Sequence, residues 1–258
     1  MEYHINKNQK AGFTLSEVLI TLGIIGIVAA MTMPSLIQKH KEKVLINQLK
    51  VVYNQLDNAF NYAISENGPI NTWSDKANIN DYYDSFVIEN LNVAKICKWS
   101  SAPTAGDGCW GNPYSLRDGR YTTKGVSRQS FVLANGASII FYGSNGDNIH
   151  SAWCTKSKSA NDTERYLGNC GTITVDVNGK KPPNQYGVDL HQFNIFNDGI
   201  DLLGKQVDTN GGTSFANGCL KKIYTGGTIS CSAWVIINNN MDYLHCDDLS
   251  WAGKNKCD

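Results

Sequence analysis

What this chain of 258 residues has least of is charge. Asp, Glu, Lys and Arg make up 18% of it, and 23 basic residues balance 23 acidic ones. With no net charge and no basic patch interleaved with aromatics, it offers little to a phosphate backbone, and no nucleic-acid partner is expected. It has no C-x-x-C pair, so the paired spacing of a zinc knuckle is missing. G-x-S-x-G, H-E-x-x-H and a phosphate-cradling glycine loop are also missing. The five histidines, His4, His40, His150, His191 and His245, are scattered, and His245-Cys246-Asp247-Asp248 gathers only one of them. No internal repeat is present. The expectation is a protein that is not an enzyme.

What it does have is one long apolar run. KAGFTLSEVLITLGIIGIVAAMTMP spans Lys10 to Pro34, and between Phe13 and Met33 the only charged residue is Glu17. A bilayer core about 30 Å thick takes roughly 20 residues of helix at 1.5 Å each, so the length suits a membrane span. The acid does not suit it, because a charge among lipid tails costs several kcal/mol unless it lies near an end or meets a partner. The order of features also differs from a secretory signal peptide. The polar leader MEYHINKNQKAG, with Lys7 and Lys10, ends in Ala11-Gly12 before the apolar run, and no A-x-A site follows that run. A cut after Gly12 would leave the apolar segment on the mature chain, and the lysines would hold the leader on the cytoplasmic side.

These residues resemble the type IV pilin and type II secretion pseudopilin family. A Gly is followed by Phe and by an apolar run whose fifth residue is Glu. The resemblance implies cleavage between Gly12 and Phe13 by a prepilin peptidase, and N-methylation of Phe13. It also implies that Glu17 meets a Phe13 amine, its own or a neighbouring subunit's, during filament assembly. An ammonium beside a carboxylate makes both tolerable away from water. Pro34 falls where many members carry a helix-bending proline. Small residues such as Gly23, Gly26, Ala29 and Ala30 would let neighbouring helices approach closely. An ordinary core helix or a plain signal anchor is the alternative.

From Leu36 to Glu66 there is no Gly or Pro, and Leu45, Leu49, Val52, Leu56, Phe60 and Ala63 recur in steps of three and four. That spacing predicts one helical face, with Asn67-Gly68-Pro69 as the stop. A helix over 13–66 would be roughly 80 Å long. Beyond it the pattern shortens. SFVLANGASIIFY (130–142) reads as a hairpin around Asn135-Gly136. TITVDV (172–177), VDLHQFNIF (188–196) and SAWVIIN (232–238) read as strands, and DYYDSFVIENLNV (81–93) as a short helix. The expected fold class is α+β. The family resemblance implies a pilin-like lollipop: a long N-terminal helix, its first half membrane-spanning, packed on a disulfide-stapled antiparallel sheet. The expected divisions are a leader over 1–12, a transmembrane and filament-core helix over 13–33, its amphipathic continuation over 34–66, and an exported β-rich domain over 67–258.

All eight cysteines, Cys97, Cys109, Cys154, Cys170, Cys219, Cys231, Cys246 and Cys257, follow the apolar run. An even count placed beyond a membrane segment favours disulfides in an oxidising compartment over buried thiols. Eight cysteines allow 105 connectivities, and pairing between near neighbours is the simplest of them. Val175 to Phe193, VDVNGKKPPNQYGVDLHQF, resembles a segment common in the globular domains of pseudopilin-like proteins. Some major pseudopilins bind calcium near this part of the sheet. Asp176, Asn178 and Asp189 supply the hard oxygen donors calcium takes. Lys180 and Lys181 oppose a cation, and a polar turn with Asx-type hydrogen bonds is the other reading.

The expected function is a structural pilin or pseudopilin subunit, resident in the inner membrane with its C-terminal domain periplasmic. It would then be drawn into a periplasmic or surface filament with other subunits. The alternative is an adhesin or recognition minor pilin on the same stem, whose six tryptophans and twelve tyrosines could line a binding face.

Overall fold

A computed structural model describes residues 14–73, 86–97, 109–110, 114–115, 121–122, 130–143, 154, 170–205, 214–220 and 230–257. The chain divides into two compact units, 1–41 and 42–258.

Helix α1 (Leu15–Asn67) passes through Pro34 without a break in the helix. Proline removes one N–H from the ladder and crowds the carbonyl four residues back. Near it Thr32 Oγ1 donates to the Val28 carbonyl (2.9 Å) and Ser35 Oγ to that of Thr32 (2.9 Å). The helix ends where the sequence predicts. Gly68 takes a left-handed φ of 80° and donates its N–H to the Ile64 carbonyl, as a C-terminal glycine does.

In the first unit the apolar side chains are turned outward: Leu15, Leu19, Ile20, Leu22, Ile24, Ile25, Ile27, Met31 and Leu36 are all exposed. No residue in the most apolar 18-residue stretch is buried, and by length and composition α1 can cross a membrane. A core helix would bury this stretch. The second unit shows the opposite. Ile46, Leu49, Val52, Leu56, Ala59, Phe60 and Ala63 form one buried stripe. Of the residues expected on that face, Leu45 alone is only partly buried.

The stripe packs on a sheet of six described strands: β1 (Val93–Cys97), β4 (Ser130–Leu133), β5 (Ser138–Gly143), β6 (Gly171–Asp176), β7 (Leu190–Phe196) and β8 (Gly199–Leu202). They are hydrogen-bonded in that order, antiparallel throughout. Two further strands, β2 (Tyr114–Ser115) and β3 (Tyr121–Thr122), pair separately. The fold is therefore α+β. Phe131, Phe141, Ile173, Val175, Phe193 and Ile195 join the helix stripe in one core. Phe60 meets Phe141 edge-on with ring centroids 6.2 Å apart, and Tyr53 meets Phe193 at 5.2 Å. Replacing Phe60 with Ala is expected to cost about 3–5 kcal/mol, read as a lower denaturant midpoint of the second unit. The opposite sheet face carries a smaller cluster of Cys97, Cys109, Trp110, Ile140 and Leu190.

The hairpin forms around Asn135-Gly136, where Gly136 has φ 89° and Asn135 Oδ1 accepts the Ala137 N–H (3.0 Å). The runs over 172–177 and 188–196 are β6 and β7. Two expectations fail. Ser232–Asn238 is not a strand but a short helix, α2. Its β-branched Val235-Ile236-Ile237 suits a strand by propensity, yet tertiary contacts decide. Ser232 Oγ donates to the Gln192 carbonyl (2.6 Å) and the Ala233 N–H to that of Leu203 (3.0 Å). Trp234 stacks on Phe215 at 4.0 Å. Within 81–93, residues 81–85 lie outside the described ones. Ile88–Asn90 forms a single 3-10 turn, and Val93 already opens strand β1.

All eight cysteines pair with a sequence neighbour: Cys97–Cys109, Cys154–Cys170, Cys219–Cys231 and Cys246–Cys257. Closing loops of this length stabilises a fold by about 3 kcal/mol each in the chain-entropy account.

Candidate functional site

Two places carry unusual polar chemistry. The first is the amino-terminal end of α1. Thr14 stands just ahead of the helix, and its side chain and Glu17 close on each other. The Thr14 N–H and hydroxyl both donate to Glu17 Oε2 (2.8 Å each), and the Glu17 N–H donates to Thr14 Oγ1 (3.2 Å). This is a reciprocal capping box, in which residues at the cap and three positions later satisfy each other's orphan groups. The signal T-x-x-E was present in Thr14-Leu15-Ser16-Glu17, and the sequence reading of Glu17 as a subunit contact passed over it. Gly12 and Phe13, the expected cleavage and methylation positions, lie outside the described residues.

The second place is the turn between β6 and β7. Asp176 closes β6 and Asp189 precedes β7. The ladder pairs Asp176 with Leu190, so the register sets the two acids side by side although 13 residues separate them. Both are fully buried. Asp189 is the anchor of its loop: its Oδ2 accepts the Asn184 N–H (2.8 Å) and its Oδ1 the Gln185 N–H (2.6 Å). Asp176 Oδ1 accepts the Asn178 N–H (3.3 Å). Glycine is required at position 179, where φ is 67° and a Cβ would lie 2.6 Å from the Gly136 carbonyl oxygen. Thus the turn is wedged against the β4–β5 hairpin.

Burial pushes the Asp176 carboxyl up to about 9, with the nearby Asp189 charge adding to it and loop N–H groups opposing. Burial raises Asp189 too, against the donors of Gln185, Asn184 and the Asn178 side chain. His191, one strand position further on, is buried on the helix side of β7, and burial lowers it to about 4. Its Nε2 lies 3.2 Å from the Val188 carbonyl oxygen.

Asp176, Asn178 and Asp189 are thus brought together, as a calcium ligand set requires. Two carboxylates and an amide oxygen are the right donor chemistry for a hard cation, and Asn178 Oδ1 is buried with no hydrogen-bond partner. The hydrogen bonds to the carboxylates come from loop N–H groups, as in the polar-turn reading. Among the described residues no group of three or more His, Cys, Asp and Glu is placed to hold a metal. The tryptophans form no exposed face among the described residues: Trp73, Trp110 and Trp234 are buried and Trp251 is partly buried. Trp99 and Trp153 lie outside the described residues.

Residues 7–33 match the family model for the prokaryotic N-terminal methylation motif, the signature of type IV pilins and pseudopilins. No curated protein and no solved structure matches the chain.

Proposed function

We propose that this chain, a pilin-like exported protein by its methylation motif, is a structural subunit of a type IV pilus or type II secretion filament. The observation that supports it most is the first half of α1. Its large apolar side chains are exposed, and one acid, Glu17, sits in its first turn. Such a segment needs lipid before assembly and other subunits after it. Prepilin peptidase would cut between Gly12 and Phe13 and Phe13 would be methylated. The protein would stand in the inner membrane with residues 67–258 in the periplasm, and other pilin or pseudopilin subunits would be its partners. It would do no chemistry of its own.

Mass spectrometry of the protein recovered from membranes tests this. The expected result is a mature chain that begins at N-methylated Phe13. A start beyond Met33 refutes the reading, because the assembly helix would then be gone. The recognition-tip alternative draws no support from the four described tryptophans, three of them buried and Trp251 packed partly buried against the core.

We propose also that Asp176, Asn178 and Asp189 would hold a calcium ion. Bound there, it would supply the positive charge that two neighbouring buried carboxylates lack. The unpaired Asn178 oxygen favours this, and the test is argued below.

A further inference from the structure

We infer that the Cys246–Cys257 bridge is a site of thiol–disulfide exchange, opened in the folded protein by a dithiol reductant, and that opening it loosens the first turns of α1 in the second unit.

The four bridges differ in cover. The six cysteines of the other three are at most 3% exposed, whereas Cys246 and Cys257 are both only half-buried. Exchange requires a thiolate to reach a bridge sulfur, so access sets which bridge reacts. The loops close over similar separations, 12, 16, 12 and 11 residues, so loop length does not single one out. The class of reagent follows from that shortness. Opened by a single thiol, the freed cysteine stays 11 residues from its mixed disulfide, near enough to expel the thiol and close again. A dithiol escapes this. Its first thiolate attacks one bridge sulfur, the S–S bond breaks, and the other cysteine leaves as a thiolate. Its second thiol then attacks the mixed disulfide and releases the remaining cysteine. Two electrons pass to the bridge, the two reductant protons end on the cysteines, and the reductant becomes a disulfide.

The bridge fastens a segment that reaches α1. Cys257 donates its N–H to Asp242 Oδ2 (2.7 Å), and Asp242 opens the 3-10 turn Asp242–Leu244. Directly after that turn, His245 Nε2 lies 2.9 Å from Glu42 Oε1. Just before it, Asn239 Oδ1 accepts a hydrogen bond from Lys50 Nζ (2.9 Å). Glu42 stands one turn ahead of Ile46, where the buried stripe of α1 begins. These ties therefore hold residues 42–50 from one side. Within the bridged loop Leu249 is buried and Trp251 packs on Trp234 at 4.9 Å, which keeps the middle of the loop in place. Opening the bridge thus frees the two ends of the loop and the turn beside Glu42, a local opening and not an unfolding.

The test uses the full-length protein in detergent micelles, treated without denaturant with dithiothreitol or with 2-mercaptoethanol at equal thiol concentration. Differential alkylation and peptide mapping then read each bridge. With dithiothreitol, Cys246 and Cys257 are expected to become alkylated on the order of tenfold faster than any other pair. With the monothiol their alkylation is expected to be about tenfold slower. Amide hydrogen exchange over 42–50 is expected to rise roughly tenfold in the opened protein, with 52–63 unchanged. Cys246→Ser combined with Cys257→Ser should show the same raised exchange with no reductant present; if that variant fails to fold, the reduced wild type still gives the reading. Bridges that open together, or another that opens first, overturn the inference. Selective opening that leaves exchange over 42–50 unchanged overturns it too, as does a monothiol as effective as the dithiol.

Discussion

Glu17→Ala is expected to leave the amount of protein in membranes unchanged and to remove it from sheared filaments. Two effects act on insertion. Taking an acid out of an apolar segment favours insertion by up to about 3 kcal/mol at a helix centre and by less near an end, where Glu17 lies. Losing the capping box costs about 0.5–2 kcal/mol by fraying the first turn. These oppose each other, so membrane content changes little. Assembly is different. There the proposed partner is a buried amine, and removing one member of a buried ion pair costs about 3–5 kcal/mol because the other charge is stranded. Repeated at each subunit addition, that loss abolishes a filament. Membrane and sheared fractions of one culture decide it, and filaments at the wild-type level would remove Glu17 from the mechanism.

In calcium-free buffer Asp176→Asn is expected to stabilise the second unit, by more as pH rises from 6.5 to 9. The sign follows from which state holds the proton. Folded, Asp176 keeps its proton up to about pH 9; unfolded, it releases it near pH 4. The fold therefore binds more protons than the unfolded chain throughout that window. Stability is greatest below the unfolded value and is lost as pH climbs, by as much as about 1.4 kcal/mol per pH unit. Asparagine has no proton to gain and removes the Asp176 share of the slope. His191 works the other way. Neutral in the fold down to about 4, it adds stability above the ordinary histidine value near 6.5, and that stability is lost as pH falls towards 4. Above 6.5 it no longer contributes to the slope, which belongs to the buried carboxyls, Asp176 with Asp189, whose carboxyl burial also raises. Calcium should reverse the ranking: wild type gains thermal stability as the ion is added, and Asp176→Asn does not. Wild type indifferent to millimolar calcium would eliminate the ion. A less stable asparagine variant at pH 8 without calcium would show that Asp176 is ionised and well paired.

Helix α1 was legible because the signal was redundant. Three- and four-residue steps run from Leu45 to Ala63, and Asn67-Gly68-Pro69 stops them. The hairpin was legible from Asn135-Gly136 alone, since few residues tolerate the left-handed φ that Gly136 adopts. β1 was not, because Ala94, Lys95 and Ile96 are all exposed and no alternation marks them. α2 was missed because seven residues are too few for a helical period to show, and what fixes them, the Ser232 bonds and the Phe215 stack, comes from distant segments. The acid pair shows the same limit. Asp176 and Asp189 were named from their chemistry, but that they lie buried side by side follows from the β6–β7 register, which local sequence does not encode.

The disulfide connectivity bears on how such a chain is made. Every bridge joins a cysteine to the next one along, at separations of 12, 16, 12 and 11 residues, and no loop encloses or crosses another. For a polypeptide emerging amino end first, each cysteine meets its proper mate before a third thiol arrives. An oxidase that joins thiols in order of appearance therefore makes the native set at the first attempt. Wrong pairings never accumulate, and reshuffling by thiolate attack, a process of seconds to hours, drops out of the production line. Deleting a disulfide isomerase should leave the yield of this protein untouched, while deleting the oxidase should remove it.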